Sequence, residues 1–186
     1  MLSVLSRPSC LVRIAFVAAI SALSAGCFQP LYSERAPVGS PDLRQRLSAV
    51  DVDQIRAPNG TPLARLAVEL RNAVLFDLTG GENPAPPTHR LKIQMSTLRQ
   101  SVIVDITTAR PDVENFGINA SYTLTDIRTG KQVMSGKTFA RVSYDIPGQE
   151  QRFARARGGR DAESRAAKVI ADNIRNRLAS YFAAGT

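Results

Sequence analysis

Phe116-Gly-Ile-Asn-Ala-Ser-Tyr-Thr-Leu-Thr125 sets Phe116, Ile118, Ala120, Tyr122 and Leu124 at alternate positions, with Asn119, Ser121, Thr123 and Thr125 between them. Successive side chains of an extended chain point to opposite faces, so this stretch is a strand with one apolar and one polar face. Its apolar face has to be covered by another layer. Upstream, Leu91, Ile93 and Met95 alternate with Lys92, Gln94 and Ser96, a second strand. Val102-Ile-Val104 with Ile106 continues that strand past a bulge. Downstream, Asp126-Ile-Arg-Thr-Gly-Lys131 is a turn. A third strand over 132–146 has an ambiguous register: Val133 and Phe139 share one parity, while Met134, Val142 and Tyr144 share the other. A bulge or twist is expected there.

Farther out the period changes. Ala49-Val-Asp-Val-Asp-Gln-Ile55 alternates apolar and polar side chains and reads as a strand, and Pro58-Asn-Gly60 as a turn. Thr61 is a good N-cap, and Pro62 fits the first helical position, where its missing N–H costs nothing. Leu63, Leu66, Ala67, Leu70 and Val74 recur at helical spacing until Gly80-Gly81 and Pro84-Ala-Pro-Pro87 stop them. After Pro147-Gly148, the stretch 149–160 holds Arg152, Arg155, Arg157 and Arg160 with Gly158-Gly159, and reads as a loop. A last helix is expected from Asp161 as cap, with Glu163 in its first turn and a stripe of Ala162, Ala166, Val169, Ile170, Ile174, Leu178 and Tyr181. The order strand, helix, strands, helix predicts an α+β fold, with two helices packed on one face of a small mainly antiparallel or mixed sheet. The expected single domain is 47–182, with a tether over 27–46 and a tail over 183–186.

The N-terminal end is of another kind. Arg7 and Arg13 are the only charges before Glu34, and the 12 residues Ile14–Ala25 are all apolar or small. That run is short of the ~20 residues of a spanning helix. It has the basic start, apolar middle and small-residue end of a secretory signal. Leu23-Ser-Ala-Gly-Cys27 closes it like a bacterial lipobox, so residues 1–26 are expected to be removed and Cys27 to carry lipid. Three palmitate-type acyl chains would hold the protein firmly, since two chains already suffice. Loss of Arg7 and Arg13 takes the formal charge from +8 to +6. Phe28 rather than aspartate follows the cysteine, which favours the outer membrane over the inner.

Little in the mature chain could do chemistry. It keeps one cysteine and one histidine, too few soft ligands for a zinc site, and tryptophan is absent. Ser135-Gly-Lys-Thr138 resembles the end of a phosphate loop, but Lys131 stands where that motif wants glycine, and a strand follows instead of a helix. His89 beside Arg90 reads as solvated. Asp51 and Asp53 share a strand face, as a solvent-facing edge also would. With no nucleophile–base constellation the expectation is no enzyme, no metal and no cofactor. The basic balance calls for an acidic partner, and export argues against nucleic acid. Arg110, Arg128, Lys131 and Lys137 are candidates for contact with an anionic headgroup. Arg152, Arg155 and Arg157 are candidates for a partner surface, the alternative being a mobile solubilising loop.

Cys27-Phe-Gln-Pro-Leu-Tyr32, Ser121-Tyr-Thr-Leu-Thr-Asp126, Thr129-Gly130, Ser143-Tyr-Asp145, Asp161-Ala-Glu-Ser-Arg-Ala-Ala167 and Arg177-Leu-Ala-Ser-Tyr-Phe182, in that order and spacing, resemble the LPS-assembly lipoprotein LptE family in its alphaproteobacterial form. Relatives often carry glycine after the cysteine, where this chain has Phe28. The resemblance implies two helices on a small sheet and a lipid-anchored protein on the periplasmic face of the outer membrane. It further implies a plug that sits inside the β-barrel LptD, helps it fold, and assists delivery of lipopolysaccharide to the cell surface. Lipopolysaccharide carries phosphates and carboxylates, which suits a chain of +6. Cys27 is the one position transferred from the family. The rival expectation is an auxiliary lipoprotein of an ABC-type lipid transport system.

Overall fold

A computed structural model describes residues 42–105, 110–146 and 152–184, with the backbone alone at 103–105, 110–112 and 152. The signal, the lipobox, Cys27, Ile106 and Pro147-Gly148 lie outside the described residues. The element order is α1 (Leu43–Ser48), β1 (Val50–Val52), α2 (Pro62–Thr79), β2 (His89–Asp105), β3 (Arg110–Asp126), β4 (Gln132–Asp145) and α3 (Arg152–Ala183). The strands form one sheet in the order β1-β2-β3-β4, with β1 parallel to β2 and the other pairs antiparallel. The α+β expectation holds, with three helices among the described residues rather than two.

The alternation around Phe116 sets the register. Leu91 faces Leu124, Ile93 faces Tyr122 and Met95 faces Ala120, so the apolar sets of β2 and β3 fall on one face. β2 continues through the second apolar burst, but not past a bulge: pairing is unbroken from His89 to Val102, and the register shifts lie on either side of Ile103, inside the burst. In β4, Thr125 pairs with Gln132 while Leu124 pairs with Met134, leaving Val133 as the extra residue. A one-residue bulge reverses parity, which resolves the ambiguity of 132–146. Beyond it Ala140 and Tyr144 are buried under the helices and Phe139 points to the other face.

α2 begins and ends as its caps dictate. Thr61 Oγ1 accepts the Ala64 N–H at 3.2 Å. Gly80, at φ 67°, donates its N–H to the Phe76 carbonyl at 2.8 Å, in a left-handed conformation that glycine adopts without steric cost. Leu66, Leu70, Val74 and Leu78 are buried, each contributing ~1.5–3 kcal/mol by leaving water.

Two expectations need correction. The folded part starts inside the stretch read as a tether: α1 buries Leu47 and packs Leu43 on the core, and Arg46 donates to the Phe182 carbonyl at 3.1 Å. The arginine-rich stretch is helix, not loop, from Arg152 onward. Alanine and arginine are good helix formers. Gly159 is buried against Tyr144, where an added Cβ would lie 3.4 Å from the ring hydroxyl. Asp161 is therefore not a cap; its carboxylate accepts from Arg165 Nε at 2.7 Å. Glu163 lies buried in the helix interior.

All three helices pack on the same side of the sheet. Exposed residues of the opposite face include Lys92, Gln94, Ser96, Asn119, Lys137 and Phe139. Among the described residues no helix is long and apolar enough to cross a membrane.

Candidate functional site

The four candidate headgroup contacts do not form one site. Arg128 sits in the β3–β4 turn, where the Asp126 carboxylate accepts the Thr129 N–H at 2.9 Å and Gly130 adopts φ 68°. That bond first, against an opposing desolvation and aided by the Arg128 backbone and charge, holds the Asp126 carboxyl below its usual range. Lys131 follows directly, so the turn presents two cations. Arg110 begins β3 at the opposite end of the strand, about 50 Å away along a 17-residue strand. Lys137 is exposed in mid-β4, paired with Ser121, and lies on the face away from the helices.

That outer face is where the structure concentrates uncovered polar groups. Gln94, Ser96, Asn119, Ser121, Lys137 and Phe139 line a shallow open groove of about 530 Å³. Phe139 is 66% exposed, and the Arg141 guanidinium lies 5.9 Å from its ring centre. Lys92 is exposed on the same face. Arg90 is partly neutralised, with Asp51 at 3.7 Å and Asp53 at 3.6 Å. The two aspartates thus serve as its counter-ions, in keeping with a solvent-facing pair. The surface as a whole is hydrogen-bonding and weakly basic.

A second charged region lies at the other end of the helix layer. The Glu114 and Glu163 side chains are only 8% and 6% exposed. Arg99 donates to Glu114 at 3.2 Å and to Tyr144 Oη at 3.2 Å, and with Arg65 it also donates to Glu163. Tyr144 Oη donates to Glu114 at 2.6 Å. Arg155 stands 3.6 Å from Glu114. The Arg99 guanidinium also lies 5.0 Å from the Phe116 ring centre. Burial pushes Glu114 up, but the bonds from Tyr144 and Arg99 and the nearby charges outweigh it and leave the carboxyl below its usual range. Burial and then Glu114 raise Tyr144. Burial opposes the charge of Arg99, yet its acidic partners raise it on balance. The cluster joins β2, β3, β4, α2 and α3 and leaves no unused base or nucleophile. Its chemistry is structural.

Of the three arginines assigned to a partner surface, Arg155 is drawn into this cluster and Arg157 is exposed; only the backbone of Arg152 is described. Arg99 and Glu114 were missed from sequence, although parity marks them. Arg99 follows Leu91, Ile93 and Met95 on the helix-facing side of β2, and Glu114 shares the parity of Phe116 in β3. A cation and an acid at core positions of paired strands have to meet each other.

His89 is not simply solvated. It is half-buried edge-on to Phe182, 5.2 Å between ring centres, and burial lowers its pKa against the pull of Asp126. The glycine of Ser135-Gly-Lys-Thr138 has a packing reason: a Cβ on Gly136 would fall 2.5 Å from Tyr122 Oη. Among the described residues, no three histidine, cysteine or acidic side chains cluster as metal ligands.

The architecture is a four-stranded mixed sheet with one helical layer and one exposed, largely polar face. Residues 47–178 match the family model described as LptE, lipopolysaccharide-assembly, and the chain belongs to that family. A protein from Caulobacter crescentus CB15 is similar in structure, with TM-score 0.62 and 20% identity over 77% of this chain and 97% of that one. A minor lipoprotein from Acinetobacter baumannii gives TM-score 0.53 and 12% identity over 71% and 90%. At those identities the likeness is one of fold. No curated protein matches the sequence.

Proposed function

We propose that this protein is a lipid-anchored component of lipopolysaccharide assembly at the periplasmic face of the outer membrane, seated in the LptD barrel as a plug and assembly partner. The observation that carries this reading is the family match over 47–178, which takes in all but the ends of the folded region. Lipid at Cys27 would supply the anchor, with 1–26 removed. The outer sheet face supports a lumenal position. The inside of a membrane barrel is polar, and a face of Gln94, Ser96, Asn119 and Ser121 exchanges hydrogen bonds with such a wall without burying unmatched apolar groups.

Contact with lipopolysaccharide is the second part of the proposal. Phosphates and carboxylates attract guanidinium and ammonium groups through charge-assisted hydrogen bonds. Arg128 and Lys131 form one candidate contact point, Lys137 a second and Arg110 a third, with Arg152 and Arg157 left for a protein partner and Arg155 engaged by Glu114. The protein works by binding, without catalysis or cofactor.

A mild-detergent pull-down from outer membranes with a tag after Thr186 tests the first part. One heat-modifiable β-barrel per lipoprotein is the expected result. Recovery of inner-membrane permease components and no barrel would replace the reading with that of an auxiliary lipoprotein of an ABC-type lipid transporter. Charge reversal at Arg110, Arg128, Lys131 and Lys137 together should abolish lipopolysaccharide binding in vitro; unchanged binding removes that assignment.

A further inference from the structure

Among the described residues β4 is the last strand of its sheet, and its far edge is open. Among the described residues no strand follows it in the sheet, and no turn, loop or side-chain hydrogen bond reaches its backbone between Met134 and Asp145. In an edge strand, alternate residues present an unpaired N–H and C=O outward, a template for another chain. Proteins usually blunt such an edge with proline, a bulge, a very short strand or charged side chains, lysine above all. β4 has 14 residues and no proline, and its one bulge lies at Val133, near its start. β2 is also unpaired beyond Leu91, but its outward side chains there, Lys92, Gln94, Ser96 and Leu98, include a single charge.

The outward side chains in the middle of β4 have a definite order: Lys137, Phe139, Arg141, all exposed. They are cation, aromatic, cation at alternate positions. Self-pairing is disfavoured in the register that would bury the ring. An antiparallel second copy centred on Phe139 sets Lys137 opposite Arg141 twice, and like charges directly opposite destabilise a pair of strands. The edge therefore refuses a copy of itself and fits a segment of opposite charge.

We propose that the free edge of β4 takes an extended segment of a partner protein as a fifth strand, one in which two acidic side chains flank an apolar one at alternate positions. The backbone ladder would supply affinity and the three side chains the choice of partner. The acids would meet Lys137 and Arg141, and the apolar residue would cover Phe139. Because acid–apolar–acid reads the same in both directions, the pattern suits parallel or antiparallel addition. The inference does not depend on the chain sitting in a barrel.

The test uses the full mature chain in detergent and a fluorescent peptide, Thr-Glu-Thr-Phe-Thr-Glu-Thr, followed by anisotropy. Binding should be saturable and should weaken at least tenfold in the double variant Lys137→Glu, Arg141→Glu, which should instead prefer the peptide with lysine for glutamate. N-methylation of the peptide amides of one parity should abolish binding, and that of the other parity should leave it within about twofold. Hydrogen exchange should slow at alternate β4 amides when the peptide is present. Absence of binding, equal loss with both N-methylated parities, or the same affinity after charge reversal would each overturn the proposal. So would dimerisation of the chain that buries Phe139. Both substitutions are at exposed positions, and an unchanged circular dichroism spectrum identifies a folded variant.

Discussion

Arg99→Ala removes the residue that both buried carboxylates share. Glu114 would keep Tyr144 and Arg155, and Glu163 would keep Arg65. Breaking a fully buried ion pair by deleting one partner costs ~3–5 kcal/mol. Here the arginine side chain is 46% exposed and each acid retains a partner, so water screens part of the loss. About 2 kcal/mol is the expected cost at pH 7, below that range. For a domain of this size that lowers the melting temperature by roughly 4–10 °C. The pH dependence is the sharper signature. Glu114 is held below its usual 4.5. Its contribution is therefore complete above the unfolded value and lost as pH falls through the folded one. The gap between Arg99→Ala and the native protein should be full at neutral pH and should shrink progressively below about pH 4.5. Urea unfolding followed by circular dichroism between pH 7 and pH 3 measures both. A loss under ~0.5 kcal/mol, the size of an ordinary surface change, or a gap that stays constant with pH, would refute the assignment of Arg99 as the shared counter-ion.

Other outcomes follow from separate parts of the fold. Leu70 is fully buried in α2, so Leu70→Ala should cost ~2–5 kcal/mol in denaturant unfolding. Gly136→Ala pushes a methyl into the Tyr122 ring, which is itself buried, and should cost ~1–3 kcal/mol; a neutral effect would mean the ring moves freely. Asp77 in α2 is raised above its usual 3.8 by burial and by neighbouring Asp172 of α3, and its Oδ2 is buried without a hydrogen-bond partner. A raised carboxyl disfavours the folded state once it ionises, so Asp77→Asn should raise the melting temperature at pH 7. That gain should disappear as pH drops below 3.8, where the native side chain is protonated in both states.

Much of the architecture could be read locally because local rules and burial agree there. Phe116 to Thr125 alternates without a break, and the caps at Thr61 and Gly80 are what those residue types prefer. Even the bulge in β4 showed as a clash of parities between Val133 and Met134. What escaped is held by distant partners. The first turns of α3 carry Gly158-Gly159 and arginines instead of an apolar stripe, so nothing nearby announces a helix. It is stabilised from across the fold by Tyr144 and Glu114. α1 offers only Leu43 and Leu47 in six residues, too few to show a period. The basic side chains were legible one by one, but their grouping was not. Arg128 and Lys131 share a turn because Asp126 closes it, whereas Arg110 lies a strand's length away because β3 runs the whole span between them.

The inserted residue at Val133 works as a reading frame for the rest of β4. Were Val133 instead paired with Leu124 in a regular ladder, every later side chain would change sides. Lys137, Phe139 and Arg141 would turn into the helix layer, while Ala140 and Tyr144 would turn out to solvent, taking the Tyr144 hydroxyl away from Glu114. Substitution at this site is a minor lesion, because a bulge needs an extra residue more than a particular one. Deletion of Val133 is absorbed as well, since Gln132 and Met134 would then pair with Thr125 and Leu124 in succession; a residue lost farther along β4 is the true frameshift, with no second extra residue there to restore the frame.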